Sequence, residues 1–280
     1  MPNAPDAAAP PTAAPDPFPA RGWPAPPARA RGARTGGRGA VRPHQGLIGL
    51  TLCALVVGSW LTLHVAAVFF LPVTAATAPL VPVVMLVQVW LSVGVFIVAH
   101  DAMHGSLAPG RPRLNTAVGS LILLLYAGFA WRKVRAAHMD HHRAPGTEAD
   151  PDFYAGNPED FWPWYRTFFT RYFGLGSIAF VSTVVTVWWL ALGADPVNLV
   201  LFYGVPALGS SLQLFYFGTY LPHRHEEEGF KDAHNARTQD YPWLVSLLTC
   251  FHFGYHHEHH LKPGVPWWAL PGERRIKTFQ

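Results

Sequence analysis

The feature that most constrains this chain is a set of four long apolar stretches, each able to cross a lipid bilayer. They occupy residues 46–71, 80–99, 175–192 and 197–221. A membrane-spanning helix needs about 20 mainly apolar residues, and each stretch comes close to or exceeds that length. Only 14% of the residues are charged, little over half of the roughly 25% that is usual in soluble domains. The sequence therefore predicts an all-helical integral membrane protein.

The basic residues predict how these helices are oriented. Neither the link 72–79 nor the link 193–196 contains Lys or Arg. All 21 basic residues lie in the N-terminal segment, in 111–171 or after residue 221. Lys and Arg near the ends of spans favour the cytoplasmic side. We therefore expect four transmembrane helices in two hairpins, with both termini in the cytoplasm.

A fifth apolar run, 114–130, does not fit this topology as a span. If it crossed the bilayer, Arg132, Lys133 and Arg135 would lie on the outer side, against the same rule. It would also separate histidine groups, at 100–104 and 138–142, that we expect to share one site. We interpret it as a re-entrant or in-plane helical segment, which is tolerated at membrane depth when it packs against protein.

Residues 1–45 differ from the rest because they are Ala, Pro, Gly and Arg with almost no large aliphatic side chains. Such a segment cannot bury enough apolar surface to offset its ordering entropy, so we expect a disordered cytoplasmic tail. It lacks the pattern of a secretory signal peptide. The predicted organisation is this tail, a membrane domain over 46–272 and a short C-terminal tail over 273–280. Cys53 and Cys250 are too few for a disulfide framework or a Cys-rich metal site.

Three histidine groups fall at the predicted cytoplasmic ends of spans or in cytoplasmic segments. The chain has 15 histidines, and the groups have the sequences HDAMH, HMDHH and HHEHH. Spacings of three and four residues place side chains on one face of a helix, and imidazole is the commonest metal ligand in proteins. The residues are His100, His104, His138, His141, His142, His256, His259 and His260. Since eight histidines exceed what one metal ion can use, we predict a two-metal site.

A ninth ligand is expected from one of two further histidines. His223 closes the fourth apolar stretch and is favoured, whereas His234, in HNAR, is the alternative or a residue that orients a ligand. His64 lies alone within the first stretch, where we expect it to be structural or to face the bundle. A ligating histidine usually donates its other N–H to a carboxylate or carbonyl. The acidic residues beside the histidines are Asp101, Asp140, Asp150, Asp152, Asp232 and Glu258.

Long strings around these histidines carry a family resemblance. They include WLSVGVFIVAHDAMHGS at 90–106, HMDHHRAPGTEADPDF at 138–153, FGTYLPHR at 217–224 and SLLTCFHFGYHHEHHLKPGVPWWALP at 246–271. From about residue 46 onward the chain resembles bacterial-type β-carotene ketolases, a branch of the integral-membrane fatty-acid desaturase and hydroxylase superfamily. Related carotene hydroxylases have four residues between the histidines of the first group. HDAMH has three, which favours a ketolase.

The resemblance implies a cytoplasmic, histidine-rich cap that holds a non-haem di-iron centre with nine histidine ligands. On this chain the ninth is His223, with His234 as its competitor. The implied activity uses O2 to hydroxylate the allylic C4 of a β-ionone ring twice, which leaves a ketone. β-Carotene would give echinenone and then canthaxanthin, and hydroxylated rings would lead toward astaxanthin. The implied partners are a carotenoid from the bilayer, membrane lipid and an electron-donor protein, expected to be a ferredoxin, in a bacterial inner membrane. No nucleic acid is expected.

Three other functions are also compatible with the sequence. Another oxygenase of the superfamily, such as a fatty-acid desaturase or a carotenoid 3-hydroxylase, would share the histidine groups. A metal transporter should place polar residues across the bilayer midplane, where His64, Gln88 and Gln213 are the candidates. The third is a pigment- or metal-binding protein without turnover. The aromatic residues expected near a substrate path are Phe96, Tyr126, Phe129, Trp131, Phe215, Phe251, Phe253 and Tyr255.

Overall fold

A computed structural model describes residues 41–226 and 228–278, and every regular element within them is helical. The predicted disordered tail therefore lies almost wholly outside the described residues. The helices are α1 (Gln45–Phe70), α2 (Leu80–His104), α3 (Pro112–Ala127), α4 (Trp131–Arg143), α5 (Phe161–Tyr172), α6 (Leu175–Ala191), α7 (Pro196–His223), α8 (Trp243–Cys250), α9 (His256–Leu261) and α10 (Leu270–Thr278).

Three helices, α1, α2 and α7, are each long and apolar enough to cross a membrane. They coincide with the first, second and fourth predicted spans. The third predicted span lies in α6, which passes the same test only together with α5, from which it is bent by 76°. The run 114–130 lies mostly in α3, which is bent by 103° from α4. The all-helical membrane fold is confirmed in outline, whereas the count of four spans and the in-plane placement of α3 stay predictions.

Helix α2 lies at the centre of the bundle, where it packs against α1, α3 and α7. A helix that is apolar on all sides is expected to be buried, and the C-terminal half of α2 follows this rule. Its residues Val93, Val95, Ile97, Val98 and Ala99 are at most 1% exposed. The last turns of α2 are therefore held in one orientation by protein on every side.

Helix α7 is interrupted by two π-helical turns, Val200–Gly204 and Tyr216–Tyr220. Pro206 lies just after the first turn. Proline has no N–H to donate to the carbonyl four residues earlier, and a π turn is one way for a helix to accommodate such a break. At the start of α7, the side-chain amide of Asn198 donates to carbonyls at the end of α1, including that of Leu71 at 2.8 Å.

The two ends of the described chain meet at one carboxylate. Glu273 on α10 forms ion pairs with Arg42, just before α1, and with Lys262, just after α9, each at 2.7 Å. Helix α10 runs across residue 272, so the first residues of the predicted C-terminal tail are helical. These pairs fasten α10 beside α9, which carries the third histidine group.

Candidate metal centre

Helix α2 brings the first histidine group to its C-terminal end. His100 and His104 are one turn apart, and the helix stops at Gly105, whose φ is 74°. Glycine adopts this left-handed conformation without the steric penalty of a Cβ atom, which makes it a common helix terminator. The sequence HDAMHG thus places both histidines in the last turns of a buried helix.

A sharp bend places α4 against the end of α2. Gly128 lies at this bend with φ 67°, and a Cβ atom there would be 2.5 Å from the Cβ of Phe180. Both the conformation and the close approach require glycine. After the bend, α4 carries the second group, His138, His141 and His142, to the end of α2.

The third group, on α9, is positioned by a loop of unusual backbone conformation. Phe251 and His252 both adopt left-handed conformations, with φ of 48° and 64°. The Phe251 ring lies directly against α2 at Gly94, where a Cβ atom would be 2.3 Å from the Phe251 Cζ. This contact fixes the start of α9 relative to the helix that carries His100.

The structure brings nine histidines together in two groups. The five-histidine group contains His100, His104, His138, His142 and His259, and the four-histidine group contains His141, His223, His256 and His260. Within each group the ligand nitrogens all lie within 4.8 Å of one another. The Nε2 atoms of His104 and His138 are 2.7 Å apart, and those of His223 and His256 are 2.8 Å apart.

Hydrogen bonds on the outer side fix the tautomers of two of these histidines. His223 Nδ1 is 2.7 Å from the carbonyl of Asn235, which can only accept, so Nδ1 carries the proton. His141 Nδ1 is likewise 2.8 Å from Asp150 Oδ2. In the neutral rings the Nε2 lone pairs then point into the four-histidine group. Because facing lone pairs repel one another, this arrangement fits bound cations.

Asp150 is a buried carboxylate that supports His141. Its Oδ2 also accepts from the backbone N–H of Gly146, and its Oδ1 accepts from that of Asp152, both at 2.8 Å. Burial acts to raise the pKa of Asp150, but its interactions with the His141 imidazole and with the backbone N–H of Asp152 outweigh burial and hold the pKa below its usual value. Asp150 is therefore an ionised partner of a candidate ligand.

His234 belongs to neither group, and its ring centre is 6.3 Å from that of His260. Its neighbour Asn235 instead supplies the carbonyl that orients His223. Sequence reasoning did not single out Asn235. The one available signal was the residue type, because Asn tolerates the left-handed conformation that Asn235 adopts, with φ 42°. Outside both groups, His257 Nε2 pairs with Asp232 Oδ2 at 2.7 Å.

Two cavities that share lining residues lie near the histidines. A small pocket of about 70 Å³ touches both histidine groups, and a larger cavity of about 580 Å³ lies among α1, α2, α3, α5, α6 and α7. Residues that line both are Phe96, Phe168, Tyr172 and Leu214. At this junction the Tyr172 hydroxyl donates to Asp152 Oδ1 at 2.5 Å.

The expected aromatic residues only partly line these cavities. Phe96, Tyr126 and Phe129 line the larger cavity, and Phe96 and Phe253 line the smaller one. The other four pack elsewhere in the described bundle or at its ends. Sequence reasoning missed the aromatic residues near α5 that line the larger cavity, namely Phe168, Phe169, Tyr172 and Phe173. The signal available was the aromatic-rich string FWPWYRTFFTRYF at 161–173.

Comparison with known proteins places this architecture in a family. The model of the fatty acid desaturase family matches residues 75–180 and 170–277. A β-carotene ketolase of Paracoccus sp. strain N81106 is 52% identical over 221 residues, which cover 78% of this chain and 89% of that protein. A second, of Paracoccus sp. strain PC1, is 51% identical over 82% of this chain and 93% of its own length. One from Haematococcus lacustris is 35% identical over 81% of this chain and 79% of its own length. The chain belongs to the fatty acid desaturase family and, within it, to the β-carotene ketolases.

Proposed function

We propose that this protein is a β-carotene 4-ketolase, an O2-dependent oxygenase that converts the C4 methylene of a β-ionone ring to a ketone. One observation carries the proposal: a small pocket lined by members of both histidine groups shares four lining residues with a large apolar cavity among the helices. Membership of the β-carotene ketolases supports the choice of substrate and reaction.

We propose that the nine histidines hold two iron ions, one in each group. Imidazole donors suit iron, and a pair of groups with separate ligand sets fits a two-metal centre. Iron bound there would supply the activation of O2. The chain itself fixes ring orientation through Asp150 and the Asn235 carbonyl, since such outer partners set the tautomer and basicity of ligating histidines. His223 is the proposed ninth ligand, and His234 is not.

The larger cavity fits a long, thin hydrocarbon. Leu199 and Leu214 both line it and are 15 residues apart on α7, so it follows that helix for about 22 Å at 1.5 Å per residue. An extended carotenoid entering from the bilayer would lie along this path with one ring at the junction near Phe96. There the ring's C4 would face His100 and His138, which border the small pocket.

The reaction balances as two hydroxylations at one carbon. Each consumes one O2, two electrons and two protons; one oxygen atom enters the C–H bond and the other leaves as water. The resulting gem-diol loses water and leaves the ketone. β-Carotene would give echinenone and canthaxanthin, and 3-hydroxylated rings would lead toward astaxanthin. We propose that a ferredoxin supplies the electrons on the cytoplasmic face of a bacterial inner membrane.

Pigment analysis tests this function. The chain would be expressed in a bacterium that makes β-carotene, and the carotenoids separated by chromatography with mass detection. A ketolase adds one oxygen and removes two hydrogens per ring. Gain of oxygen without loss of hydrogen would identify a hydroxylase instead. Unchanged β-carotene, with iron-loaded protein present in the membrane, would refute the proposal.

A matched pair of variants tests the ninth ligand. His223→Ala removes a ring from the four-histidine group and should lower both the iron content and ketone formation. His234→Ala removes a ring outside both groups and should leave the iron content unchanged. Loss of iron in His234→Ala, with retention in His223→Ala, would reverse the assignment.

A further inference from the structure

The small pocket beside the histidine groups carries a carboxyl group that belongs to neither of them. Asp152 and Tyr172 both line this pocket, together with members of both histidine groups. Asp152 is 9% exposed. A hydrocarbon ring offers it no hydrogen bond, and a buried acceptor without a partner is costly. The inference drawn from this carboxyl group rests on the proposed function.

The hydrogen bonds of Asp152 leave one of its oxygens open. Oδ1 accepts from the Tyr172 hydroxyl at 2.5 Å. The backbone is also held, because the N–H of Asp152 donates to Asp150 Oδ1 and its carbonyl accepts from the Trp164 indole. Oδ2 forms no hydrogen bond with a described residue, and it is not among the unpaired polar atoms that are closed off from contact. Since Asp152 borders the pocket, this oxygen is the part of the side chain that can bind a ligand there.

Asp152 also lies beside the four-histidine group. A carboxylate oxygen of Asp152, one of Asp150 and a ring nitrogen of His141 all lie within 4.8 Å of one another. His141 borders the same pocket, and Asp150 holds its ring. A substrate atom that sits against the histidines in a pocket of only about 70 Å³ therefore lies near Asp152 as well.

The proposed reaction creates a polar group at this place. The first oxidation turns the C4 methylene into a secondary alcohol, and the new hydroxyl forms on the carbon that faces the histidines. An alcohol both donates and accepts, so it can pair with Oδ2 in either protonation state of the carboxyl group. β-Carotene itself has no hydroxyl and cannot form this bond. The pocket is thus better matched to the product of the first oxidation than to the hydrocarbon.

The second oxidation places a demand on orientation that such a bond meets. C4 keeps one C–H bond, and this bond must face the metal centre as the first one did. Because two bonds on a tetrahedral carbon diverge, an acceptor to one side of the histidines can hold the hydroxyl while the C–H bond faces them. Correct positioning of reacting atoms is a large part of catalysis.

We infer that Asp152 retains the 4-hydroxylated intermediate and orients it for the second oxidation. Tyr172 is the positioning residue that holds Asp152 through Oδ1. In this step one oxygen atom of O2 enters the remaining C4–H bond. Two electrons from the electron-donor protein and two protons reduce the other oxygen atom to water, and the gem-diol then loses water to leave the ketone. Asp152 supplies a hydrogen bond and no electron.

An isotope experiment on the unchanged protein tests retention directly. Purified, iron-loaded protein with an electron-donor system receives ¹³C-labelled β-carotene and an excess of unlabelled 4-hydroxy-β-carotene. Products are followed by mass detection. A retained intermediate gives labelled ketone from the start, with little labelled alcohol. An intermediate that leaves the site is diluted by the unlabelled pool, so labelled alcohol accumulates before labelled ketone.

Replacement of Asp152 links retention to this side chain. In Asp152→Ala the ratio of labelled alcohol to labelled ketone should rise by about tenfold, since the alcohol loses its hydrogen-bond partner. Asp152→Asn keeps a polar group that can pair with the alcohol and should restore much of the ketone. Because both products come from one protein, a change in the amount of folded enzyme cancels in the ratio. Iron content is measured in each variant.

A matched pair of variants on α5 tests the role of Tyr172 and serves if Asp152→Ala does not accumulate. Tyr172→Phe removes the hydroxyl that holds Oδ1 and should also raise the alcohol-to-ketone ratio. Tyr165→Phe makes the same change on the same helix. The Tyr165 hydroxyl pairs with that of Ser211 at 2.8 Å, and Tyr165 lines neither cavity. Its replacement should leave the ratio unchanged.

The outcomes separate this inference from the proposed function. Full dilution of the label in the unchanged protein would overturn retention, and an unchanged ratio in Asp152→Ala or Tyr172→Phe would overturn the assignment to this pair. Loss of iron from Asp152→Ala would make Asp152 part of the metal centre and overturn the inference too. In each of these cases ketone formed by the unchanged protein leaves the ketolase proposal standing. Absence of oxidised β-carotene would overturn the proposed function itself.

Discussion

Replacement of Asp150 by Asn should weaken metal binding in one histidine group and spare the other. The carboxylate accepts from His141 Nδ1 at 2.8 Å and from two backbone N–H groups. Asn keeps the shape and one acceptor oxygen but loses the charge. A hydrogen bond to a charged group contributes about 1.5–3 kcal/mol and a neutral one about 1 kcal/mol. The difference is about 0.5–2 kcal/mol, and the loss of the second acceptor adds to it. We therefore expect metal affinity to fall by about 10–100-fold, the range found for such outer partners.

The assay is iron content per chain during titration with a chelator. His141 belongs to the four-histidine group, so the iron in that group should be lost at 10–100-fold lower chelator concentration, while the five-histidine group keeps its own. Asp232→Asn is the matched control, because Asp232 pairs with His257 at 2.7 Å outside both groups. Equal loss of iron in the two variants, or unchanged retention in Asp150→Asn, would refute the reasoning.

Two further predictions concern stability. Gly94→Ala should lower the thermal midpoint of the detergent-solubilised protein, because its Cβ would lie 2.3 Å from Phe251 Cζ and overpacking costs about 1–3 kcal/mol. In Gly58→Ala on α1 the new Cβ would have nothing within 4 Å, so the thermal midpoint should stay unchanged. Equal midpoints in the two variants would contradict this prediction. Burial acts to raise the pKa of Glu273, but its two ion-pair partners outweigh it and lower the pKa. The stability that Glu273 contributes is present at pH values above its usual pKa of about 4.3. It is lost as the pH falls through the lower pKa that Glu273 has in the folded protein. The difference in midpoint between Glu273→Gln and the unchanged protein should therefore shrink between about pH 6 and pH 3, and a constant difference would contradict the assignment.

The local features of the candidate site could be predicted from the sequence because spacing within a helix is a local property. HDAMH, HMDHH and HHEHH each lie on a helix, as the three- and four-residue spacings indicate. Which histidines share a group could not be predicted. His141 and His142 are neighbours in sequence but point about 100° apart on α4, and they fall in different groups. That division depends on the 103° bend at Gly128, which is a tertiary feature.

The groups that hydrogen-bond to the candidate ligands, and the cavity, could not be predicted from the sequence either. In HNAR, His234 was the alternative to His223 as ninth ligand or a residue that orients a ligand, whereas the group that contacts His223 is the backbone carbonyl of Asn235. A backbone carbonyl is present at every position and therefore gives no signal in a sequence. The left-handed pair Phe251 and His252 has no glycine to signal it. The hydrogen bond between Gln88 Nε2 and His64 Nδ1, 3.1 Å long, could not be predicted because the sequence does not show which turns of α1 and α2 lie side by side.

The π-helical turns of α7 determine where a change in chain length would rotate His223 and where it would not. Each residue of an α-helix advances the facing direction by about 100°, and a π turn accommodates one extra residue within a turn. The turn Tyr216–Tyr220 ends three residues before His223. Deleting one residue within this turn would restore a regular helix and leave His223 facing His256, because the turn already absorbs that residue. Deleting one residue from the regular segment Val205–Phe215 would instead rotate His223 by about 100°, away from His256. The number of residues in the regular part of the helix therefore sets the direction of this ligand, and the π turn is where the chain tolerates a change in that number.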